Sequence, residues 1–152
     1  MNTYSDIYLH IVFSVKYRDA LIGKYLLHDL HAYIASIFNA KGHQTIIVGG
    51  TADHVHALIR YNVNQSVPDM VRDVKMASST WINAAHRCMY RFAWQKGYGV
   101  FSYSESQVAT IRNYIANQEQ HHQNVNSVDE FVNILNTRHI KYDSAYLPQP
   151  PA

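Results

Sequence analysis

Residues 43–61, HQTIIVGGTADHVHALIRY, hold two strand-like runs joined only by GGTAD, and this spacing constrains the fold more than any other feature of the chain. A link this short lets the second run return only alongside the first, antiparallel to it. The paired glycines read as the end of the first run. Side chains alternate along a strand, so His54, His56, Leu58 and Arg60 share one face of the second run, and Val55, Ala57 and Ile59 share the other.

The flanking segments supply the rest of a plan. SDIYLHIVFSV alternates as a strand, with Ile7, Leu9, Ile11 and Phe13 on one side and Tyr8, His10, Val12 and Ser14 on the other. GKYLLHDLHAYIASIFNAKG carries apolar residues at helical spacing and is stopped by Gly42. VPDMVRDVKMASSTWINAAH reads as a second helix, with Ser66 as N-cap and Pro68 in the first turn. RFAWQKGYGVFSYS reads as a loop and a short strand, SQVATIRNYIANQEQHHQ as a third helix, and DEFVNIL as a short terminal helix. The order is β-α-β-β-α-β plus helices. This is an α+β, ferredoxin-like sandwich in which two helices cover one face of an antiparallel sheet. The added helix at 105–122 is free to lie on the other face. Residues 1–145 form one domain, and 146–152, ending in LPQPPA, read as a flexible tail.

Composition narrows the classes of function. The formal net charge is only +2, so nucleic-acid binding would rest on local patches and not on a global field. A single cysteine, Cys88, excludes an internal disulfide and a zinc–cysteine cluster, and suits a reducing cytoplasm. No basic leader precedes an apolar run, and no apolar stretch would span a bilayer, so neither secretion nor a membrane is expected.

Imidazoles at i and i+2 of a strand converge well enough to hold one metal ion, although two histidines at this spacing are also common as ordinary hydrogen-bonded residues. His10 lies on the same face of the first strand, which neighbours the third in a ferredoxin-like order, so it is a candidate to support the pair from behind. On the third helix Tyr114 and Gln118 stack one turn apart, on the shoulder of the Val108/Ile111/Ile115 stripe. His121 and His122 could join that surface, or be a solvated helix end.

Taken in order, LHIVFSVKYR, DHVHALI, VRDVKMASS, FAWQKGYGVFSYS and YIANQEQHH resemble successive segments of the single-tyrosine HUH transposases of the insertion-sequence-200/605 type, over residues 4–122. The resemblance implies cleavage and rejoining of single-stranded DNA at the ends of a mobile element, in a prokaryotic cytoplasm. It implies His54, His56 and Gln118 as metal ligands and Tyr114 as the nucleophile, which forms a covalent 5′-phosphotyrosine. It also implies subterminal DNA hairpins as partner, and a homodimer in which the tyrosine helix can be exchanged.

The chemistry is consistent with these residue types. Mg2+ or Mn2+ suits mixed nitrogen and oxygen ligation, and neutral ligands leave the ion's charge to act on a phosphate. A covalent intermediate conserves the bond energy for rejoining. His10, His121 or a water is a candidate proton acceptor. Lys16, Arg18, Arg60, Arg72 and Lys75 are candidates for phosphate contacts or are solvated surface charges. Trp94 and Tyr98, in a loop with Lys96 that is a further DNA-binding candidate, either stack on unpaired bases or cap the sheet as core aromatics. Two alternatives stand beside the transposase: a non-catalytic ferredoxin-like nucleic-acid-binding module, and a domesticated relative that nicks hairpins.

Overall fold

The computed structural model describes residues 3–17 and 21–152. Four strands, β1 (Tyr8–Ser14), β2 (Gln44–Thr51), β3 (His54–Arg60) and β4 (Gly99–Tyr103), form one antiparallel sheet in the order β2-β3-β1-β4. Helices α1 (Lys24–Ala40) and α2 (Val67–Ala84) are the crossovers. This is the expected ferredoxin-like arrangement. Ser66 caps α2 by accepting from the Asp69 amide at 3.2 Å, and Pro68 sits in its first turn, where no amide donor is required.

Register sorts the sheet into two faces. Leu9, Ile11, Phe13, Val55, Ala57 and Ile59 point towards α1 and α2 and form the main core with Leu30, Ile34, Phe38, Met70 and Val74. On the opposite face Val12 pairs with His56, Ser14 with His54, and His10 lies across from Leu58 and Phe101.

That second face is covered by three helices. The segment expected as one helix at 105–122 is a short 3-10 turn followed by α3 (Val108–Ala116) and α4 (Gln118–His121), broken at Asn117. Helix α5 (Ser127–Thr137) packs Phe131, Ile134 and Leu135 against Val12, Phe101 and Tyr103. Asn126 caps α5 by accepting from the Asp129 amide at 2.9 Å.

The glycine pair does not end β2. Gly49 and Gly50 lie inside the strand, paired with His56 and Val55, and the turn is Ala52–Asp53. Gly49 is needed because α3 crosses directly above it: a Cβ there would meet the Ile115 carbonyl oxygen at 2.8 Å. At the far end of the chain, the Gln149 amide donates to Gln95 Oε1 at 3.0 Å and the Ala152 amide to the Lys16 carbonyl at 2.9 Å.

Candidate active site

β3 carries the centre of the site. His54 and His56 are buried, with ring centroids 4.9 Å apart, and their Nε2 atoms converge on side chains from α4 and α5. His54 Nε2 lies 3.0 Å from Gln118 Oε1, and His56 Nε2 lies 2.8 Å from Glu130 Oε1. Each ring is also held from behind. His54 Nδ1 lies 2.7 Å from Asp53 Oδ1, and His56 Nδ1 lies 2.6 Å from His10 Nε2. Asp53 in turn accepts from Ser127 Oγ at 3.0 Å, which ties the start of α5 to the β2–β3 turn.

Glu130 was absent from the candidates read in the sequence. It is only 3% exposed and gathers most of the site around one carboxylate. Oε1 faces the two strand imidazoles, 2.8 Å from His56 and 3.5 Å from His54. Oε2 accepts from the Tyr114 hydroxyl and from Gln118 Nε2 at 3.1 Å, and lies 3.2 Å from Nε2 of both His121 and His122. His122, which the sequence leaves open as a site residue or a solvated helix end, reaches Gln118 Oε1 at 3.0 Å.

These contacts fix the protons. A carboxylate can only accept, so His56 Nε2 carries the hydrogen that reaches Glu130. Burial pushes His56 down to about 4 despite Glu130, so the ring is neutral and its bare Nδ1 accepts from His10 Nε2. His10, lowered by its own burial and by His56, is then also neutral, and its unpartnered buried Nδ1 is a lone pair and not a stranded donor. His54 behaves oppositely. Burial disfavours its charge, but Asp53, Glu130 and Gln118 outweigh this and raise it to about 9. Tyr114 is held firmly as a phenol, raised by burial and by Glu130. Burial opposes ionisation of Glu130, but the surrounding histidines hold its carboxyl far below the usual range.

His54, His56, His122 and Glu130 each offer a ligand atom, all within 4.8 Å of one another, so the group could hold a metal ion. The donor chemistry fits a divalent cation. Imidazole nitrogens converge with a carboxylate and the Gln118 carboxamide oxygen, and the outer nitrogens are braced by Asp53 and His10 in the way that orients ligating histidines.

Tyr114 faces the histidines of its own chain: its ring lies 5.9 Å from that of His56 and 6.5 Å from that of His10. It is half-buried and borders a cavity of about 320 Å³ between α3 and α5, lined by Tyr103, Ile111, Ile134 and Arg138. His121 lies 5.4 Å from the phenol ring.

The residues expected to touch DNA are scattered. Trp94 is 8% exposed, with Phe13 and Phe92 edge-on to it and Nε1 donating to Ser78 Oγ at 3.0 Å, so it is a core residue with no free face for a base. Lys75 donates to the Gln95 carbonyl at 2.9 Å and to Gly97, which pins the loop before β4; burial lowers its pKa to about 8. Arg72 is exposed on α2, on the other side of the sheet, paired with Asp69 and Asp73. Arg60 is on the histidine face, 3.4 Å from Asp6. Lys16, Lys96 and Tyr98 are exposed, and Arg18 lies outside the described residues. Two cations on the site face went unread in the sequence. Arg112 lines a hollow with Arg60, and the Arg138 guanidinium lies 4.5 Å over Tyr103.

A ferredoxin-like sheet with a histidine–hydrophobic–histidine strand under a tyrosine helix defines a protein of the HUH type. The chain belongs to the family described as IS200-like transposases, whose profile matches residues 3–118. Transposases of this family cleave DNA. The ISDra2 transposase TnpA of Deinococcus radiodurans is 27% identical to this chain over an alignment of 114 residues that covers 72% of this chain and 81% of that one. Two solved structures share the fold. A transposase from Deinococcus radiodurans has a TM-score of 0.59 at 23% identity, covering 78% of this chain and 95% of that one. A REP-associated tyrosine transposase bound to a REP hairpin has a TM-score of 0.60 at 11% identity, covering 100% and 98%. Among the described residues no helix is long and apolar enough to cross a membrane.

Proposed function

We propose that this transposase cleaves and rejoins single-stranded DNA through a covalent link between Tyr114 and a 5′-phosphate, with a divalent cation, Mg2+ or Mn2+, held by His54, His56 and Gln118. The observation that carries the reading is the convergence of the two strand imidazoles and Tyr114 on one carboxylate, beside a cavity that gives the phenol access to a strand.

A cation bound here would supply positive charge to offset the negative charge that builds on the phosphate. Asp53 and His10, behind the two rings, would hold the imidazoles in place for it. Tyr114 attacks phosphorus; its oxygen forms the new ester while the bond to the 3′-oxygen breaks. The phenol's proton is balanced by the proton that the departing oxygen gains as a 3′-hydroxyl. Rejoining is the reverse step and needs no external energy source.

The substrate is proposed to be a strand with subterminal hairpins, by likeness to the hairpin-bound relative. Arg60, Arg112 and Arg138, which share the face of the site, would follow its phosphates. The test is incubation with hairpin-bearing single strands and Mn2+, followed by denaturation in detergent. A DNA-linked protein that disappears in Tyr114→Phe supports the reading. Tight binding with no linked species in the native protein would assign the chain to the binding-module alternative.

A further inference from the structure

We infer that Glu130 is itself a ligand of the proposed cation, so that the site takes a carboxylate from α5 in addition to the neutral donors of β3 and α4. The inference rests on the cation reading above and deepens it. Three observations carry it. Glu130 is buried, and its Oε1 is closer to His56 Nε2, at 2.8 Å, than Gln118 Oε1 is to His54 Nε2, at 3.0 Å. Its ligand oxygen belongs to the same cluster as nitrogens of His54, His56 and His122, all within 4.8 Å. Its two oxygens also divide their work, Oε1 towards the imidazoles and Oε2 towards the Tyr114 hydroxyl.

A buried carboxylate needs compensating charge. A divalent ion held jointly by His54, His56 and Glu130 would supply it where Oε1 already lies 2.8 Å from His56 Nε2 and 3.5 Å from His54 Nε2. An oxygen anion among the ligands favours hard cations such as Mg2+ and Mn2+ over softer ones. It also sets the nucleophile's place, because one carboxylate would touch the cation and the phenol together. The residue lies beyond the span matched by the family, in a helix whose start is tied to Asp53 through Ser127.

Mn2+ binding measured by calorimetry and by loss of the free-ion electron-spin signal tests this without any cleavage assay. The proteins compared are the native chain, His56→Ala, Glu130→Gln and Glu130→Asp, each with its fold checked by near-ultraviolet circular dichroism. The expected result is a loss of affinity of about tenfold or more in Glu130→Gln, with Glu130→Asp between it and the native protein. If Glu130→Gln binds Mn2+ as tightly as the native chain while His56→Ala does not, Glu130 is no ligand and the histidine reading stands. If Glu130→Gln does not fold, Glu130→Asp decides: undiminished affinity overturns the inference and reduced affinity supports it. Absence of Mn2+ and Mg2+ binding by the native chain overturns both readings.

Discussion

Gly49 lies directly beneath Ile115: a methyl group at Gly49 would come within 2.8 Å of the Ile115 carbonyl oxygen and 2.9 Å of its Cγ2. Because Gly49 pairs with His56 in the sheet, this contact sets the height of α3 above the histidine strand. Backbone oxygen cannot swing aside as a flexible side chain can. Gly49→Ala should therefore lift α3, at a cost on the order of 1–3 kcal/mol for overpacking, and move Tyr114 and Gln118 away from the imidazoles. Formation of the covalent DNA adduct should fall more than tenfold while the protein stays folded at 25 °C. Thermal melting beside an adduct assay separates the two effects. Native-level adduct in Gly49→Ala would show that this contact does not position the phenol.

The difference between legible and illegible parts of the site follows from where the information sits. Period-two alternation placed His10, His54 and His56 on one face, and a short link fixed the hairpin, because both are local consequences of strand geometry. Glu130 gave no such signal. It stands beside Asp129 just after the Asn126 cap, where acidic residues ordinarily favour the positive end of a helix, and only the docking of α5 turns it inwards. The glycine pair was misplaced for a similar reason: two glycines near a hairpin read as a turn until a crossing helix explains one of them. The sequence leaves Trp94 open between base stacking and the core, and Lys75 between a phosphate contact and a solvated charge, because neither has a local signal for what folds against it. The loop brings Trp94 onto Ser78 of α2, and its Gln95 and Gly97 carbonyls accept from Lys75 on the same helix.

The paired histidines should give the metal-free protein a stability optimum near neutral pH. His54 is raised from 6.5 to about 9 in the fold, with Asp53, Glu130 and Gln118 overcoming burial; its contribution is complete below pH 6.5 and is lost as pH rises through about 9. His56 is lowered from 6.5 to about 4 by burial, so stability falls as pH drops from 6.5 towards 4, where the unfolded chain takes up a proton that the folded one refuses. Glu130, also depressed, steepens the acid side below its ordinary 4.5. Lys75, lowered from 10.5 to about 8 by burial, works against the alkaline loss, since its penalty fades as pH rises above 8. Denaturant titrations in chelator from pH 5 to 9.5 should show the alkaline decline in the native chain, by about 1–3 kcal/mol, and its absence in His54→Ala. A decline of equal size in both proteins would assign it to other groups.

His10 should act on the cation through His56 and not by touching it. When His56 Nε2 turns a lone pair towards a metal, its Nδ1 must carry the hydrogen and donate to His10 Nε2, 2.6 Å away, so the proton positions across the two rings are reversed. His10→Phe removes that acceptor without leaving a void. Mn2+ affinity should fall about ten- to hundredfold. His10→Gln, which keeps a carbonyl oxygen near the same place, should recover part of it. Equal affinity in His10→Phe and the native chain, read by calorimetry, would leave His10 a packing residue only.

Cations on the two sides of the sheet should differ in their effect on DNA. Arg60, 3.4 Å from Asp6, and Arg112 line one hollow on the histidine face together with Glu105, whereas Arg72, paired with Asp69 and Asp73, lies on α2 across the sheet. For a hairpin-bearing single strand, Arg60→Ala and Arg112→Ala should each weaken binding whatever the sequence, and reduce the slope of log affinity against log salt by about 0.7–0.9. Arg72→Ala should change neither quantity. Fluorescence anisotropy across a salt series checks this. A loss confined to Arg72→Ala would put the strand on the α2 side and detach it from the site.

Tyr114 and the histidines it faces come from one chain, 5.9 Å between the rings of Tyr114 and His56. The connection between β4 and α3 is only Ser104 and a single 3-10 turn, Glu105–Gln107, capped by a reciprocal pair of hydrogen bonds between Ser104 and Gln107. Such a link holds α3 against its own sheet. If catalysis uses this arrangement, mixing His56→Ala protein with Tyr114→Phe protein should not restore the covalent adduct, because no single chain then has both groups. If two copies exchange their tyrosine helices, a mixed dimer contains one intact pair of two, and since equal re-association makes half of the dimers mixed, adduct should return to about a quarter of the native level per site. Mixing under conditions that allow subunits to re-equilibrate, with labelled DNA and a Tyr114→Phe homogeneous control, distinguishes the outcomes. Recovery would mean that the contact between Tyr114 and Glu130 is opened and remade between chains during the reaction.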